Sequence, residues 1–345
     1  MWKNSAERVR RSMTTVLHVI SHTDLDGVAA AATAWLAYSP ERPVRLSLAG
    51  YGSVDALVTE SLEGSIPFVV LDLFCQDART VDAVDRTWKD GDMPVAFDHH
   101  ETTASRYGGR PWIVFDSSVC GAKVFHRWLS GHGTSEQAAR IAGLSDFVDI
   151  ANDRDLWINE RPEGRLWQAL ITLCGPWSVF TRVVSGESAF RESERATAED
   201  FVVRQEARFQ RALERVNRSN RDLAFVEPGI LEYGDVSDFG GLILDRMEKP
   251  PFLVAVAAKR TGGEWAVSLR SRSETAGKVV ALLKDGRKVR GGGHDDSAAL
   301  YFPSSYTPDQ IRETLSAALR TVQDRERPTG VTLGDVFANA FRREG

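Results

Sequence analysis

The sequence has few cysteines and no long apolar segment. Its three cysteines, Cys75, Cys120 and Cys174, are an odd number without a C-x-x-C spacing, which argues against a disulfide framework and against a thiolate zinc site. No stretch approaches the roughly eighteen apolar residues of a membrane-spanning helix, and the first fifteen residues lack the apolar core of a signal peptide. We therefore expect a cytoplasmic protein that does not enter a membrane.

A general excess of positive charge is also absent. The 43 Lys and Arg residues are outnumbered by 48 Asp and Glu residues, which gives a formal net charge of −5 and argues against a protein held on long nucleic acid by a positive field. The charge is uneven, because residues 259–290 carry nine basic and three acidic side chains, a local net charge of +6. At 42% hydrophobic and 26% charged residues, the composition excludes a disordered or collagen-like chain.

The length of 345 residues fits about two domains, and the first half of the chain alternates short apolar runs with segments of helical period. This pattern predicts an α/β domain with a doubly wound parallel sheet. The predicted strands are residues 16–20, 44–49, 67–73, 94–97 and 112–115. The predicted helices are residues 28–38, 54–62, 78–88, 119–129 and 135–150.

The second half predicts a helical linker and a smaller α/β domain. Residues 188–221 are rich in Glu, Arg, Gln and Ala with a narrow apolar stripe, as in a long connecting helix. Strands are predicted at 223–226, 229–233, 252–258, 265–269 and 298–302, helices at 275–283 and 309–321, and a turn at 291–293. The resulting division is a disordered extension (1–13), a catalytic domain (14–187), a linker (188–221), a substrate-binding domain (222–325) and a tail (326–345).

Polar residues follow the ends of several predicted strands, where open α/β sheets bind ligands. S-H-T-D-L-D-G after the first strand places His22, Asp24 and Asp26 two residues apart, so that an extended backbone points them to the same side. Gly27 then allows a sharp turn into a helix. By itself D-x-D-G is weak evidence, because Asp and Gly are common in turns and helix caps.

Two further strand ends and one helical segment carry similar side chains. Asp72 ends an apolar run typical of a buried strand, where an ionised carboxylate needs a partner. F-D-H-H places His99 and His100 beside an aspartate at the next strand end, an arrangement seldom explained by packing. A-N-D-R-D-L-W follows a helical segment. Three acids lie in or just before this string, namely Asp149, Asp153 and Asp155. Each of them can equally be an ordinary solvent-exposed side chain.

These positions together predict a site for two divalent metal ions. So many carboxylates at one sheet edge repel one another unless cations neutralise them. Carboxylate and imidazole ligands without thiolate suit Mn²⁺, with Mg²⁺ or Co²⁺ as alternatives. Two such ions about 4 Å apart are a common apparatus for cleaving phosphate esters.

The second domain contains residues that suit an anion. R-G-G-G-H lacks side chains over three positions, so that backbone N–H groups can approach a phosphate, and Arg270 and His294 can add charged donors. The simpler alternative is that Gly291, Gly292 and Gly293 form a loose hairpin turn and that Arg270 is a surface cation.

At this point the chain resembles the DHH phosphoesterase superfamily with a C-terminal DHHA1 domain. The matching strings are H-T-D-L-D-G (22–27), V-V-L-D (69–72), D-H-H (98–100), N-D-R-D-L-W (152–157) and G-G-G-H (291–294), in the family's order over about residues 16–302. The forms S-H-x-D-L-D-G and D-H-H-x-T most resemble the nanoRNase branch, which cleaves short oligoribonucleotides. Two departures are Cys120, where Ser or Thr is common, and Asp295 with Asp296, where small or apolar residues are usual.

The resemblance implies a role for each matching residue. Asp72 would bridge two metal ions, one of them completed by His22 and Asp24. The other ion would be completed by Asp26, His99 and Asp153. Asp153 is chosen over the other two acids because an aromatic residue, here Trp157, commonly follows the family's fourth acid.

Catalysis would fall to Asp24, Asp72 and His100, the last contacting the phosphate or the leaving group. Arg270, Gly292, Gly293 and His294 would hold the substrate.

The expected function is that of a dimanganese phosphodiesterase which releases nucleoside 5′-monophosphates stepwise from short RNA. The substrate is expected to be short RNA or a small nucleotide and not long duplex nucleic acid, and a homodimer is left open. The alternatives are the same chemistry on cyclic or linear dinucleotides, 3′-phosphoadenosine 5′-phosphate or polyphosphate, or a nucleotide-binding module without catalysis.

Overall fold

The computed structural model describes residues 15–156, 158, 160–220, 222–260, 262–284, 289–293 and 296–326. The chain divides into two compact units between Val203 and Arg204, inside the segment that the sequence predicts as a linker. The predicted extension 1–13 lies outside the described residues, as does the predicted tail 326–345 except for its first residue. No helix in the described part of the chain is both long and apolar enough to cross a bilayer.

The first unit is built on a five-stranded parallel sheet in the order β2-β1-β3-β4-β5. Its strands are β1 (Leu17–Ser21), β2 (Val44–Leu48), β3 (Phe68–Leu71), β4 (Ala96–Asp98) and β5 (Ile113–Phe115). The strands β1, β3 and β4 are buried at every position, as expected for a parallel sheet covered on both faces. Because the strand order reverses between β1 and β3, their carboxyl ends form the switch point where such sheets bind ligands.

Helices cover both faces of this sheet. They are α1 (Leu25–Tyr38), α2 (Tyr51–Glu63), α3 (Ala78–Thr87), α4 (Glu101–Tyr107), α5 (Gly121–His132), α6 (Ser135–Ile141), α7 (Ser145–Asp155), α8 (Glu163–Cys174) and α9 (Pro176–Val184). Four consecutive alanines, residues 29–32, are fully buried in α1, and their small side chains let this helix pack closely against α5, α7 and β1. On the opposite face, α2 and α3 contribute Val54, Val58, Val81 and Val84 to a second apolar cluster.

The second unit is built on a six-stranded mixed sheet in the order β10-β11-β9-β8-β7-β6. Its strands are β6 (Asn217–Asn220), β7 (Leu223–Val226), β8 (Leu253–Lys259), β9 (Trp265–Arg270), β10 (Arg290–Gly293) and β11 (Ser297–Phe302). Only the pair β7 and β8 is parallel among the described strand pairs of this sheet. The helix α10 (Glu192–Arg215) contains the boundary between the units.

Three more helices cover this second sheet, namely α11 (Val236–Arg246), α12 (Thr275–Lys284) and α13 (Pro308–Glu326). On one face α12 and α13 share an apolar cluster with β9 and β11, which includes Val279, Leu315, Leu269 and Leu300. On the other face Phe239 and Ile243 of α11 pack with Val254 and Val256 of β8.

The predicted fold class is confirmed, since a parallel α/β sheet is followed by a second α/β sheet. The strand predicted at 229–233 is wrong, because Gly229 takes a φ of 84° and Tyr233–Asp235 form a 3-10 turn that leads into α11. The glycines predicted as a turn at 291–293 belong to β10. The sequence reading also misses four helices, α4, α8, α9 and α11.

Candidate functional site

The first part of the site follows β1. Asp24 caps the N-terminus of α1, where its Oδ1 accepts a hydrogen bond from Gly27 N at 3.0 Å. Its Oδ2 lies 2.7 Å from His22 Nδ1. A Cβ on Gly27 would lie 2.3 Å from His22 O, so only glycine allows the chain to turn here.

Asp26, two residues further and in the first turn of α1, is buried and holds the N-terminus of α5. Its two carboxylate oxygens accept hydrogen bonds from Gly121 N at 2.7 Å and from Ala122 N at 2.8 Å. A carboxylate at a helix N-terminus is stabilised by the free N–H groups and by the helix dipole. Asp26 therefore connects the start of α1 to the start of α5.

Asp72 follows β3 directly and has a φ of 62°, a left-handed conformation that is unfavourable for a residue with a side chain. Its side chain is almost completely buried, and its N–H donates to Phe97 O on β4 at 2.9 Å. A Cβ on Gly121 would lie 2.9 Å from the Cα of Asp72. The packing of α5 against Asp72 thus depends on glycine at position 121.

The end of β4 supplies Asp98, His99 and His100. The buried Asp98 accepts hydrogen bonds through Oδ1 from His99 N at 2.7 Å and His100 N at 3.2 Å, and the same oxygen lies 2.7 Å from His100 Nδ1. Burial lowers the pKa of His100, but the hydrogen bond and charge of Asp98 outweigh it and raise this pKa to about 9. Asp98 therefore orients the His100 ring and holds a proton on it at neutral pH.

The acid of α7 that lies beside His99 is Asp155, at the end of the helix, and not the predicted Asp153. Asp155 Oδ2 lies 3.4 Å from His99 Nε2. Asp153 instead accepts hydrogen bonds from the backbone N–H groups of Glu160, at 2.9 Å, and Arg161, at 3.2 Å. The geometry thus favours Asp155 over the predicted Asp153, whose carboxylate instead fixes the chain after α7. Trp157, the basis for that choice, lies outside the described residues.

Two other residues of the site escaped the sequence reading. Asp98 orients His100. Its position in the D-H-H string is the feature of the sequence that could have indicated this role. Asn152 accepts a hydrogen bond through Oδ1 from Cys120 N at 3.0 Å, next to the two N–H groups held by Asp26. Nothing in the sequence pairs α7 with α5, because these residues are more than thirty positions apart.

The carboxylates of the cluster are close enough to shift one another's pKa values. Burial raises the pKa of Asp72 well above its usual value, and the charges of Asp26, Asp24 and Asp155 raise it further. Burial also raises the pKa of Asp155 well above its usual value, again together with the charges of Asp26 and Asp24. Burial acts in the same direction on Asp24, but the charge and hydrogen bond of His22 outweigh it and lower the pKa of that carboxyl. A cation would relieve the repulsion.

The residues fit divalent cations. The described residues include three groups whose potential ligand atoms lie within 4.8 Å of one another: Asp72, Asp98, His99 and His100; His22, Asp24 and Asp72; Asp26, His99 and Asp155. The Nε2 atom of His99 is buried without a hydrogen-bond partner, although oxygens of three carboxylates lie 3.3 to 3.8 Å from it. Buried polar atoms are normally hydrogen-bonded, so this nitrogen is placed as a metal ligand would be. Oxygen and imidazole donors without thiolate suit Mn²⁺ or Mg²⁺.

The residues predicted to hold substrate lie in the second unit. Arg270 ends β9 and pairs in register with Ser297 of β11, and a Cβ on Gly240 would lie 2.7 Å from the Arg270 Cγ. Gly292 and Gly293 lie on β10, the edge strand beyond β11. Two strand spacings of about 4.8 Å therefore separate Arg270 from the glycines. His294 lies outside the described residues.

Asp296, one of the two departures after the glycines, has a structural partner. Its Oδ1 accepts hydrogen bonds from Ser271 Oγ at 2.7 Å and from Glu274 N at 2.8 Å. Ser271 Oγ in turn accepts one from Ala276 N at 3.0 Å, in the first turn of α12. The carboxylate thus connects the start of β11 to the segment after Arg270. Asp295 lies outside the described residues.

Neither a protein-family model nor a curated protein matches the sequence, but solved structures share its fold. A manganese-bound exonuclease RecJ matches with a TM-score of 0.60 and 15% identity over 92% of this chain and 94% of that one. The fold is RecJ-like.

Two more structures share this RecJ-like fold at a TM-score of 0.52. They are RecJ of Thermus thermophilus in complex with Mn²⁺ (15% identity, 92% of this chain and 54% of that one) and CDC45 of Entamoeba histolytica (6% identity, 92% and 98%). This chain thus spans about half of the Thermus RecJ chain. The DHH resemblance carried by the motifs is confirmed at the level of the fold.

Proposed function

We propose that this protein is a metal-dependent phosphodiesterase that removes nucleoside 5′-monophosphates from one end of short RNA. The observation that carries the proposal is the buried His99 Nε2, which has no hydrogen-bond partner among the described residues and faces Asp72, Asp155 and Asp26. The RecJ-like fold adds weight, because the switch point of a parallel sheet is where such folds bind their ligands.

Two Mn²⁺ ions would occupy this cluster. Asp72 belongs to the group with His22 and Asp24, and its Oδ1 also lies 3.3 Å from His99 Nε2, so it is the residue suited to bridge both ions. The second group is Asp26, His99 and Asp155. When bound, the ions would activate water and neutralise charge on the phosphate oxygens.

His100 is the group suited to supply a proton. Its Nδ1 is engaged by Asp98, so the ring is fixed and Nε2 points away from that contact. With Nδ1 held by Asp98, the ring can present a proton on Nε2 to the leaving oxygen. Asp98 acts through His100 and is a positioning residue.

The charge distribution favours a short substrate. Tight binding to long nucleic acid usually uses about six to ten phosphate contacts, whereas the chain is acidic overall and its basic segment has a net charge of +6. Arg270 and the glycines of β10 would hold a phosphate or sugar of the substrate.

The proposal is tested with a substrate panel in the presence of Mn²⁺, Mg²⁺ or Co²⁺. The panel contains RNA and DNA of two to five nucleotides, linear and cyclic dinucleotides, 3′-phosphoadenosine 5′-phosphate and polyphosphate, compared by kcat/KM. We expect the highest kcat/KM for short RNA and nucleoside 5′-monophosphates as products. Asp72→Asn should abolish hydrolysis, because it removes charge between the two ligand groups.

Any other result of the substrate panel would replace the proposal with one of two alternatives. A higher kcat/KM for a cyclic dinucleotide, 3′-phosphoadenosine 5′-phosphate or polyphosphate would keep the chemistry and change the substrate. Binding of nucleotides without hydrolysis under any of the three metals would indicate a nucleotide-binding module.

A further inference from the structure

The two faces of the second sheet differ over β9, β11 and β10. On one face, alternate residues of β9 and β11 are buried beneath α12 and α13, among them Leu269 and Leu300. On the other face the alternate residues of both strands are only half-buried, and Arg290 and Gly292 of β10 are exposed. α11 covers this second face over β8 and at Arg270, where Gly240 packs on the side chain, and the part beyond α11 we call the open face.

The open face has a flat floor of small side chains. In register across β9, β11 and β10, Ser268 lies beside Ala299, and Ala299 lies beside Gly292. A Cβ on Gly292 would meet no atom within 4 Å. Solvent-facing strand positions usually carry larger polar side chains, so small residues at three adjacent positions leave room for a planar group.

Larger groups stand at the two ends of this floor. Arg270 is at one end, opposite Ser297. Tyr301 is at the other end, opposite Ala266 on β9 and Arg290 on β10. The four residue steps of β9 from Ala266 to Arg270 span about 13 Å at 3.3 Å per residue.

Tyr301 is surrounded by cations. The guanidinium carbon of Arg260 lies 5.6 Å from the centre of the Tyr301 ring, and that of Arg290 lies 5.8 Å from it. Glu264 pairs with both arginines. These are exposed ion pairs of small net energy, so a phosphate can compete with Glu264 for the guanidinium groups.

We infer that the open face is a binding track for single-stranded RNA, with Tyr301 stacking a base that lies beyond the nucleotide held at Arg270. An aromatic ring with arginines beside it, on a surface continuous with a phosphate-binding residue, is the combination that binds single strands without reading sequence. Because both guanidinium groups lie over the ring, a stacked base displaces them, and Arg260 and Arg290 then contact the phosphate next to it. The inference rests on the proposed function, and it makes affinity depend on substrate length.

The length of RNA that can reach Tyr301 follows from the distance of about 13 Å between the two ends of the floor. At about 3.4 Å per stacked nucleotide, 13 Å corresponds to roughly four nucleotides, so a dinucleotide held at Arg270 does not reach Tyr301. A five-nucleotide RNA does reach it.

The kinetic test compares KM for two- and five-nucleotide RNA. Stacking on an aromatic residue contributes enough that Tyr301→Ala should raise KM for the longer RNA about tenfold. The same variant should leave KM for the dinucleotide and kcat for both substrates unchanged, and Tyr301→Phe, which keeps the ring, should behave as wild type. Equal KM values for wild type and Tyr301→Ala at both lengths would overturn the inference and leave the proposed function intact.

A second test does not depend on hydrolysis. Binding of a fluorescein-labelled five-nucleotide RNA to the full chain is followed by anisotropy in EDTA, and Tyr301→Ala should weaken it about tenfold. Binding that depends on Tyr301 without any hydrolysis would support RNA binding at the open face and reject the proposed function. Equal affinities of wild type and Tyr301→Ala would reject RNA binding at the open face.

Charge variants extend the test should Tyr301→Ala fold poorly. Arg290→Gln changes an exposed side chain and should weaken binding and reduce its salt dependence, whereas Glu264→Gln should strengthen binding because it releases both arginines. Arg312→Gln is the matched control, since it removes the same charge from α13, whose apolar side packs on the other face. Equal effects of Arg290→Gln and Arg312→Gln would contradict the inference.

Discussion

His99 Nε2 lies 3.3 Å from Asp72 Oδ1 without a hydrogen bond between them. One residue follows β4 and the other follows β3, and these neighbouring parallel strands pair in register at Val70 with Ala96 and at Leu71 with Phe97. The sheet therefore fixes the separation of the two side chains. Because Asp72 and the Nε2 atom of His99 are buried, leaving the two groups unpaired costs free energy unless a cation lies between them.

Removal of this imidazole should weaken metal binding. We expect His99→Ala to reduce Mn²⁺ affinity by at least about tenfold, since loss even of a ligand's hydrogen-bond partner has an effect of that size. Isothermal titration of metal-free protein with Mn²⁺ measures it. His132→Ala is the control, because His132 stacks on Trp128 at the end of α5 and should bind Mn²⁺ as wild type does. An unchanged affinity in His99→Ala would remove His99 from the ligand set.

The two aspartates of α7 should respond in opposite ways to the same change. Asp155→Asn should weaken Mn²⁺ binding and, in metal-free protein, raise stability, because it relieves repulsion with Asp26 and Asp24. Asp153→Asn should leave Mn²⁺ binding intact but lower stability by about 1 to 3 kcal/mol, because an amide cannot accept both backbone hydrogen bonds.

Calorimetric titration with Mn²⁺ and urea denaturation in EDTA separate the two effects. The reverse pattern would restore Asp153 as the ligand.

Two glycines of the same helix provide a matched pair. Gly121→Ala would place a methyl group 2.9 Å from the Asp72 Cα, so Asp72 or α5 must shift. A displacement near 1 Å in such a site can lower kcat about a hundredfold. A Cβ on Gly131 would meet no atom within 4 Å, so Gly131→Ala should keep its activity and gain up to about 1 kcal/mol of helix stability. Equal activity in both variants would show that the close approach at Gly121 does not matter.

Most of the site could be predicted because its residues follow buried strands. The apolar runs of β1, β3 and β4 are visible in the sequence, and the polar residue that ends each run lies at a common edge of a parallel sheet. His22, Asp72 and His99 were therefore placed together without knowledge of any contact. Asp26 belongs to the same group because it lies in the first turn of the helix that follows β1.

The remaining residues depend on contacts that the sequence does not encode locally. Asp153 and Asp155 lie on one helix, about 200° apart around its axis, and only the packing of α7 decides which one faces the sheet. Likewise β10 is a strand because Gly291 and Gly292 pair with Leu300 and Ala299, although glycine by itself disfavours strands. A pattern of local propensity therefore predicts a turn there.

His18, which lies on β1 four residues before His22, should make stability depend on pH. Its ring is fully buried, with Nδ1 2.7 Å from Ser61 Oγ and Nε2 2.9 Å from Ser47 Oγ. Burial and, to a smaller extent, the charge of Arg45 lower the pKa of His18, the charge of Glu60 opposes both, and the resulting pKa is about 4. In the unfolded chain its pKa is near 6.5, so between pH 6.5 and 4 the unfolded chain binds a proton that the folded protein does not.

The contribution of His18 to stability is therefore complete above pH 6.5 and decreases as the pH falls toward 4. We expect the free energy of unfolding, measured by urea denaturation in EDTA, to fall more steeply over this range in wild type than in His18→Gln, which keeps a hydrogen-bonding side chain but does not titrate. The carboxylates contribute equally to both proteins, so the difference between the two curves isolates His18. Parallel curves would show that the imidazole takes up its proton equally well in the folded protein.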